Sequence, residues 1–207
     1  MEDPYDRGTR LKPGQTNFGS GTTPTLFGRA AGRRFVAITD NADPRMHVLV
    51  FRRGRDVTGR RLVCKQALIA KRRSATENSL VYVAHSFIVE NNYGYSGPTA
   101  TEDGGVTSRG ISRVVLERRG GCHVAWTSHE RVPSAVSKAC RRTGLLYTYT
   151  KDPNRKHEDG GYLTAVSVRT RRTVFTAPRT SGRWAGWSSS ATVDADAVSL
   201  ETLRSLR

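Results

Sequence analysis

Strand-forming runs in this chain are short, and almost every one is cut off by turn residues. Phe35 to Thr39 stops at Asp40-Asn41-Ala42-Asp43-Pro44, and Met46 to Phe51 stops at Arg53-Gly54-Arg55-Asp56. Leu80 to Val89 reads as one long strand, followed by a loop that runs to Gly105. Ile111 to Glu117 and His123 to Thr127 bracket Arg118-Arg119-Gly120-Gly121, an arginine-tipped hairpin. Leu145 to Thr150 is a strand, Lys151 to Gly161 a polar loop, and Tyr162 to Phe175 one or two strands. β-branched and aromatic residues favour a pleated, half-buried surface, and Gly, Pro, Asn and Asp break it. Turns at this frequency predict a mostly β chain.

Two segments carry helical signals. From Pro133 to Thr143 a proline sits in the first turn, Lys138, Arg141 and Arg142 crowd the far end, and Gly144 follows. Asp196 to Leu206 spaces Leu200, Leu203 and Leu206 by three. Residues 60–73 fit either a helix or a strand. Residues 1–32 are rich in Gly, Thr, Pro, Asn and Ser and bury little apolar surface, so they predict a flexible arm. The expected architecture is a single antiparallel β-sandwich, jelly-roll-like, over 33–207, with one or two short helices.

Charge adds the partner. Of the 34 basic residues, 28 are arginine, and the chain carries a net +16. Arginine's planar fork grips phosphate at two points and stacks on bases, which lysine's point charge does not. The charge comes in blocks: +9 over 33–75, +6 over 109–142 and +5 over 169–187, against −4 over 76–108, which has no basic residue. The arginines fall at strand ends and turns. Arg33, Arg34, Arg52, Arg53, Arg55, Arg60, Arg61, Arg72 and Arg73 form one set; Arg118, Arg119, Arg141, Arg142, Arg169, Arg171 and Arg172 form another. Gathered on one face, they would bind a polyanion, nucleic acid first, with RNA ahead of DNA. Arg183 and Trp184, in a Gly- and Ser-flanked stretch with Trp187, are the best candidates for stacking on a base. The 76–108 block would then face solvent or another subunit.

Other chemistries find little support. Cys64, Cys122 and Cys140 are too few and too odd in number for a disulfide framework. They read as buried free thiols, which points to a reducing compartment, cytoplasm or nucleus. No close cysteine pair marks a zinc site. Asp152, Asn154, Glu158 and Asp159 gather oxygen ligands, but their spacing matches no EF-hand loop. G-x-S-x-G, H-E-x-x-H and phosphate-cradling glycine loops are missing from the sequence. The N-terminus has neither the basic start nor the apolar run of a signal peptide, and no run reaches the ~18 apolar residues of a membrane helix. The expectation is a non-enzyme without metal, cofactor or membrane association.

A polar Gly/Thr/Asn/Pro arm ahead of a strand-rich, arginine-rich body resembles the layout of small jelly-roll viral coat proteins of the plant-virus kind. That resemblance implies self-association into a homo-oligomer or capsid, packaging of nucleic acid, and a place in the virion and the host cell. Many such proteins carry their positive charge in the arm, whereas residues 1–32 here net only +1. Packaging would then fall to the folded body. A non-assembling nucleic-acid-binding protein, of viral movement, silencing-suppressor or cellular RNA-binding type, is the alternative.

Overall fold

The computed structural model describes residues 5–15, 17–28, 34–55, 57–68, 71–95, 107–133, 136–151 and 161–178. They form twelve strands: β1 Thr25–Phe27, β2 Phe35–Thr39, β3 His47–Arg52, β4 Leu62–Ala67, β5 Val81–Val83, β6 Ser86–Glu90, β7 Ile111–Leu116, β8 Cys122–Thr127, β9 Lys138–Cys140, β10 Leu145–Lys151, β11 Gly161–Ser167 and β12 Thr173–Pro178. These make three four-stranded antiparallel sheets, β1–β4, β5–β8 and β9–β12, and within each sheet neighbours in space are neighbours in sequence. Mostly β is therefore correct. A jelly roll needs Greek-key crossings, and these sheets are plain meanders.

The three sheets stack as layers, with β5–β8 in the middle. Successive side chains of a strand point to opposite faces. On β6, Phe87 and Val89 join Ala37, Val48, Val50 and Phe27 of the first sheet in one core. Ile88 joins Leu146 and Val166 of the third sheet in a second core. All five residues of β6 are buried. The first and middle sheets also meet at their edges: Thr25 Oγ1 donates to Leu80 O at 2.9 Å on one side, and β4 adjoins β8 on the other.

Several expectations change. The strand expected over 80–89 is a hairpin: Val83 pairs with Ser86, and Ala84 and His85 make the turn with φ of 47° and 55°. A two-residue turn with both centres at positive φ usually carries Asn-Gly, so Ala-His gave no signal. Among the described residues there is no helix. The Pro133–Thr143 helix is replaced by β9, which pairs with β10 through a turn at 141–144 closed by Gly144 N to Cys140 O at 2.9 Å. A basic stretch followed by glycine ends a helix and turns a hairpin equally well. Residues 60–73 contain strand β4, and Tyr162–Phe175 divides into β11 and β12. Asp196–Leu206 lies outside the described residues.

The segment expected as an arm is built into the body. Phe27 belongs to the core, and Lys12 is 2% exposed. Its Nζ donates to Ala42 O at 2.8 Å and Ser74 O at 3.2 Å and lies 3.6 Å from Asp43 Oδ1. Burial, opposed chiefly by Asp43, lowers the Lys12 pKa. Backbone bonds from Asn41 N to Asp6 O and Gly94 N to Pro13 O fasten the segment further. Polar composition misled here because the segment is anchored by hydrogen bonds more than by apolar burial.

Glu90 closes the seam between the middle and third sheets. Its Oε1 accepts from the Ser137 backbone N at 3.2 Å, from Ser137 Oγ and from Thr148 Oγ1 at 3.3 Å, and Oε2 accepts from Asn78 Nδ2 at 2.5 Å. Burial pushes its carboxyl up to about 7, against the opposing pull of those bonds. The folded pKa then lies above the unfolded one, so the folded state holds the extra proton between about 4.5 and about 7. Stability should be greatest below that window, fall as pH rises through it, and level off above it, a loss on the order of 3 kcal/mol. Urea denaturation across this range should show the fall, and Glu90→Gln should flatten it.

Candidate nucleic-acid interface

Meanders send alternate turns to opposite ends, so the topology sorts the arginines. At one end of the first sheet lie Arg34, just before β2, and the β3–β4 turn with Arg53, Arg55 and Arg60. Arg52 N donates to Arg61 O at 2.9 Å and Arg53 N to Arg34 O at 2.6 Å, so these residues share one rim. The same end of the middle sheet carries the β7–β8 turn with Arg118 and Arg119. Glu117 N to Gly121 O closes it at 3.2 Å, and Gly120 and Gly121 take φ of 93° and 87°, which suits residues without Cβ. The arginine-tipped hairpin is thus present as expected.

Two links join these rims. Gly121 N donates to Val63 O at 3.0 Å, and Cys64 and Cys122 form a disulfide with Cα atoms 5.7 Å apart. This corrects the reading of both cysteines as free thiols and leaves Cys140 as the free one. An odd cysteine count had argued against a framework, but a single bridge needs only two. Arg34, Arg52, Arg53, Arg55, Arg60, Arg118 and Arg119 are exposed, and Arg61 is half-buried. Among the described residues of these turns Glu117 is the only carboxylate, and its Oε1 lies 3.1 Å from His123 Nδ1.

The remaining basic residues lie elsewhere. Arg72 N donates to Pro44 O at the opposite end of the first sheet, where Asn91 Nδ2 also bonds Arg73 O and Arg109 O. Arg131 joins that group: its Nη1 donates to Thr107 O, its Nε is buried without a partner, and burial first, then Arg109 and Arg73, lower its pKa. Arg72 and Arg73 are therefore not part of the rim formed by Arg52–Arg61, and the expectation of one positive face becomes two basic ends. Arg141, Arg142, Arg169, Arg171 and Arg172 occupy the paired turns of the third sheet, bridged by Val168 N to Gly144 O at 2.9 Å. Arg141 is close enough to Tyr82 to act on its hydroxyl, which burial nonetheless raises. Tyr82 packs against Phe27 with ring centroids 4.7 Å apart near the first rim, so Arg141 flanks it. Arg171 is exposed, and its Nη1 donates to Thr127 O at 3.1 Å.

Arg33, Arg183 and Trp184 lie outside the described residues, as does the Asp152–Asp159 loop. Trp126 is structural: its Nε1 donates to Val168 O at 2.9 Å. Arg113 works beside it, donating from Nε to Ser86 Oγ and from Nη1 to Val168 O. No sequence signal marks Tyr5, which lies against the outer face of the first sheet and lines an open groove of about 360 Å³ with Val36, Ile38, Phe51, Arg52, Arg53, Gly54 and Arg61. No protein-family model matches this chain, and no curated protein matches it.

The disulfide closes a loop of 58 residues in sequence. Restricting the unfolded chain by that loop is worth about 4 kcal/mol in the chain-entropy account. Replacing both Cys64 and Cys122 by Ser should lower the unfolding free energy by roughly that amount in guanidinium titrations, with the twelve-strand circular dichroism spectrum retained.

Proposed function

We propose that this chain binds nucleic acid by its phosphate backbone, through the rim that gathers Arg34, Arg52, Arg53, Arg55, Arg60, Arg61, Arg118 and Arg119. The observation that carries the reading is this gathering: three separate stretches of sequence deliver exposed arginines to one joined pair of turns, with Glu117 the lone described carboxylate among them. Guanidinium groups spaced along turns neutralise successive phosphates without reading base edges. Arg141 and Arg142 extend the surface at its flank.

A packaging role of the coat-protein type is the wider reading. It rests on charge carried by the folded body and on open sheet edges, not on jelly-roll connectivity. β12 pairs only with β11 among the described residues, and its Val174 is 55% exposed. An uncovered edge of that kind invites pairing with a second copy. In that role the chain would reside in virions, with RNA as the cargo. A non-assembling binder shares the rim but forms no particles, so sizing with and without RNA separates the two.

Filter binding to a single-stranded RNA tests the rim. With six to ten phosphates of a single strand engaged, affinity should drop by about 10²–10⁴ between 50 and 200 mM salt. The variant R60A/R61A/R118A/R119A should reduce the slope of log affinity against log salt by about 3, since each contact on a single strand contributes roughly 0.7. R72A/R73A, at the opposite end, should leave it near the wild-type value. Equal slopes for all three proteins would remove the assignment.

A further inference from the structure

Toward the arginine rim the first sheet is apolar on both faces, whereas further along its outer face Lys65, opposite Leu49, is exposed. Its inner face supplies Ala37, Val48 and Val50 to the core. On the outer face the register sets Leu26 opposite Val36, Val36 opposite Phe51, and Phe51 opposite Leu62. Leu26 is 39% exposed, and the other three are half-buried. A sheet face that meets only water alternates to polar residues. At this end it does not, so this end is shaped for contact.

The groove noted above lies on that face. Val36, Ile38 and Phe51 make its floor, Tyr5 one wall, and Arg52, Arg53 and Arg61 its rim. Tyr5 is held in place: its hydroxyl occupies the space beside Gly19, where an added Cβ would lie 2.6 Å from it. Arg61 Nη1 donates to Arg52 O at 3.3 Å, which keeps its guanidinium at the groove's mouth. The groove is open to solvent along its length, with about 360 Å³ of space, so it suits a group laid on the sheet rather than one enclosed by it. Its described lining residues include three arginines and no carboxylate, so an anionic occupant is favoured. An apolar floor with the Phe51 ring and a Tyr5 wall suits a flat ring, and Arg52, Arg53 and Arg61 belong to the proposed phosphate-binding rim.

We propose that this groove receives an unpaired base of single-stranded nucleic acid, with its flanking phosphates on Arg52, Arg53 and Arg61. The inference rests on the backbone-binding reading and sharpens it: a strand whose bases are paired cannot place one on the sheet, so the protein selects single strands. Base–aromatic stacking of this kind tolerates any sequence.

The test uses one RNA carrying 2-aminopurine, single-stranded or annealed to its complement, at 50 mM salt. Wild-type protein should quench the single strand's fluorescence and bind it at least about tenfold tighter than the duplex. Tyr5→Ala and Phe51→Leu should each weaken single-strand binding about tenfold, abolish the quench, and leave duplex binding unchanged. Tyr5 lies outside the sheets, and leucine keeps an apolar side chain on the floor, so both variants should fold. If either does not, the wild-type quench and strand preference still decide. Salt-sensitive binding without strand preference or quench, or with both variants equal to wild type, overturns the groove and leaves the backbone reading standing. No binding to either RNA overturns both.

Discussion

Burial of β6, within the middle sheet, on both its faces is the constraint from which the rest follows. β6 packs Phe87 and Val89 against one layer and Ile88 against the other, so no face of it can carry an unpaired charge. Residues 76–108, which hold β5 and β6, contain no basic residue. Within that block β6 is interior to the molecule, where charge alone suggests a solvent or subunit face, and the Ala84-His85 turn is exposed. The exceptions are paid with hydrogen bonds. Glu90 accepts from Ser137, Thr148 and Asn78, and Arg113 on β7 donates to Ser86 and Val168.

Excluded from this interior, the arginines collect where strands end. Short strands in meanders have many ends, and the topology divides them among two rims and the paired turns of the third sheet. The Cys64–Cys122 bridge and the Gly121–Val63 hydrogen bond then fuse turns from two sheets into one surface. Fold and charge placement are thus one problem: the layers set where strands stop, and the stops set where phosphate can be held.

The sequence made local features legible and hid those that depend on distant contacts. Strands β2, β3, β7, β8 and β10 and the Arg118–Gly121 hairpin were readable because β-branched runs and glycines act locally. The Ala84-His85 turn was not, since its positive φ values are imposed by pairing of β5 with β6. Lys138 to Gly144 could end a helix or turn a hairpin, and only β10 decides. Lys12 in a polar stretch resembles a solvated lysine until Ala42 and Ser74 supply its acceptors. For the site, residue types were legible, but the division into two ends was not. Arg61 and Arg72 look equivalent in sequence and lie at opposite ends of β4.

The central claim is that one rim, and not the other, meets nucleic acid. Hydrogen exchange followed by mass spectrometry, with and without a single-stranded RNA, tests it most directly on the unmodified chain. The account predicts slowed exchange over residues 52–61 and 117–121, with 71–73, 109–110 and 131 unchanged. Protection confined to the second group, with the first unaffected, would contradict it.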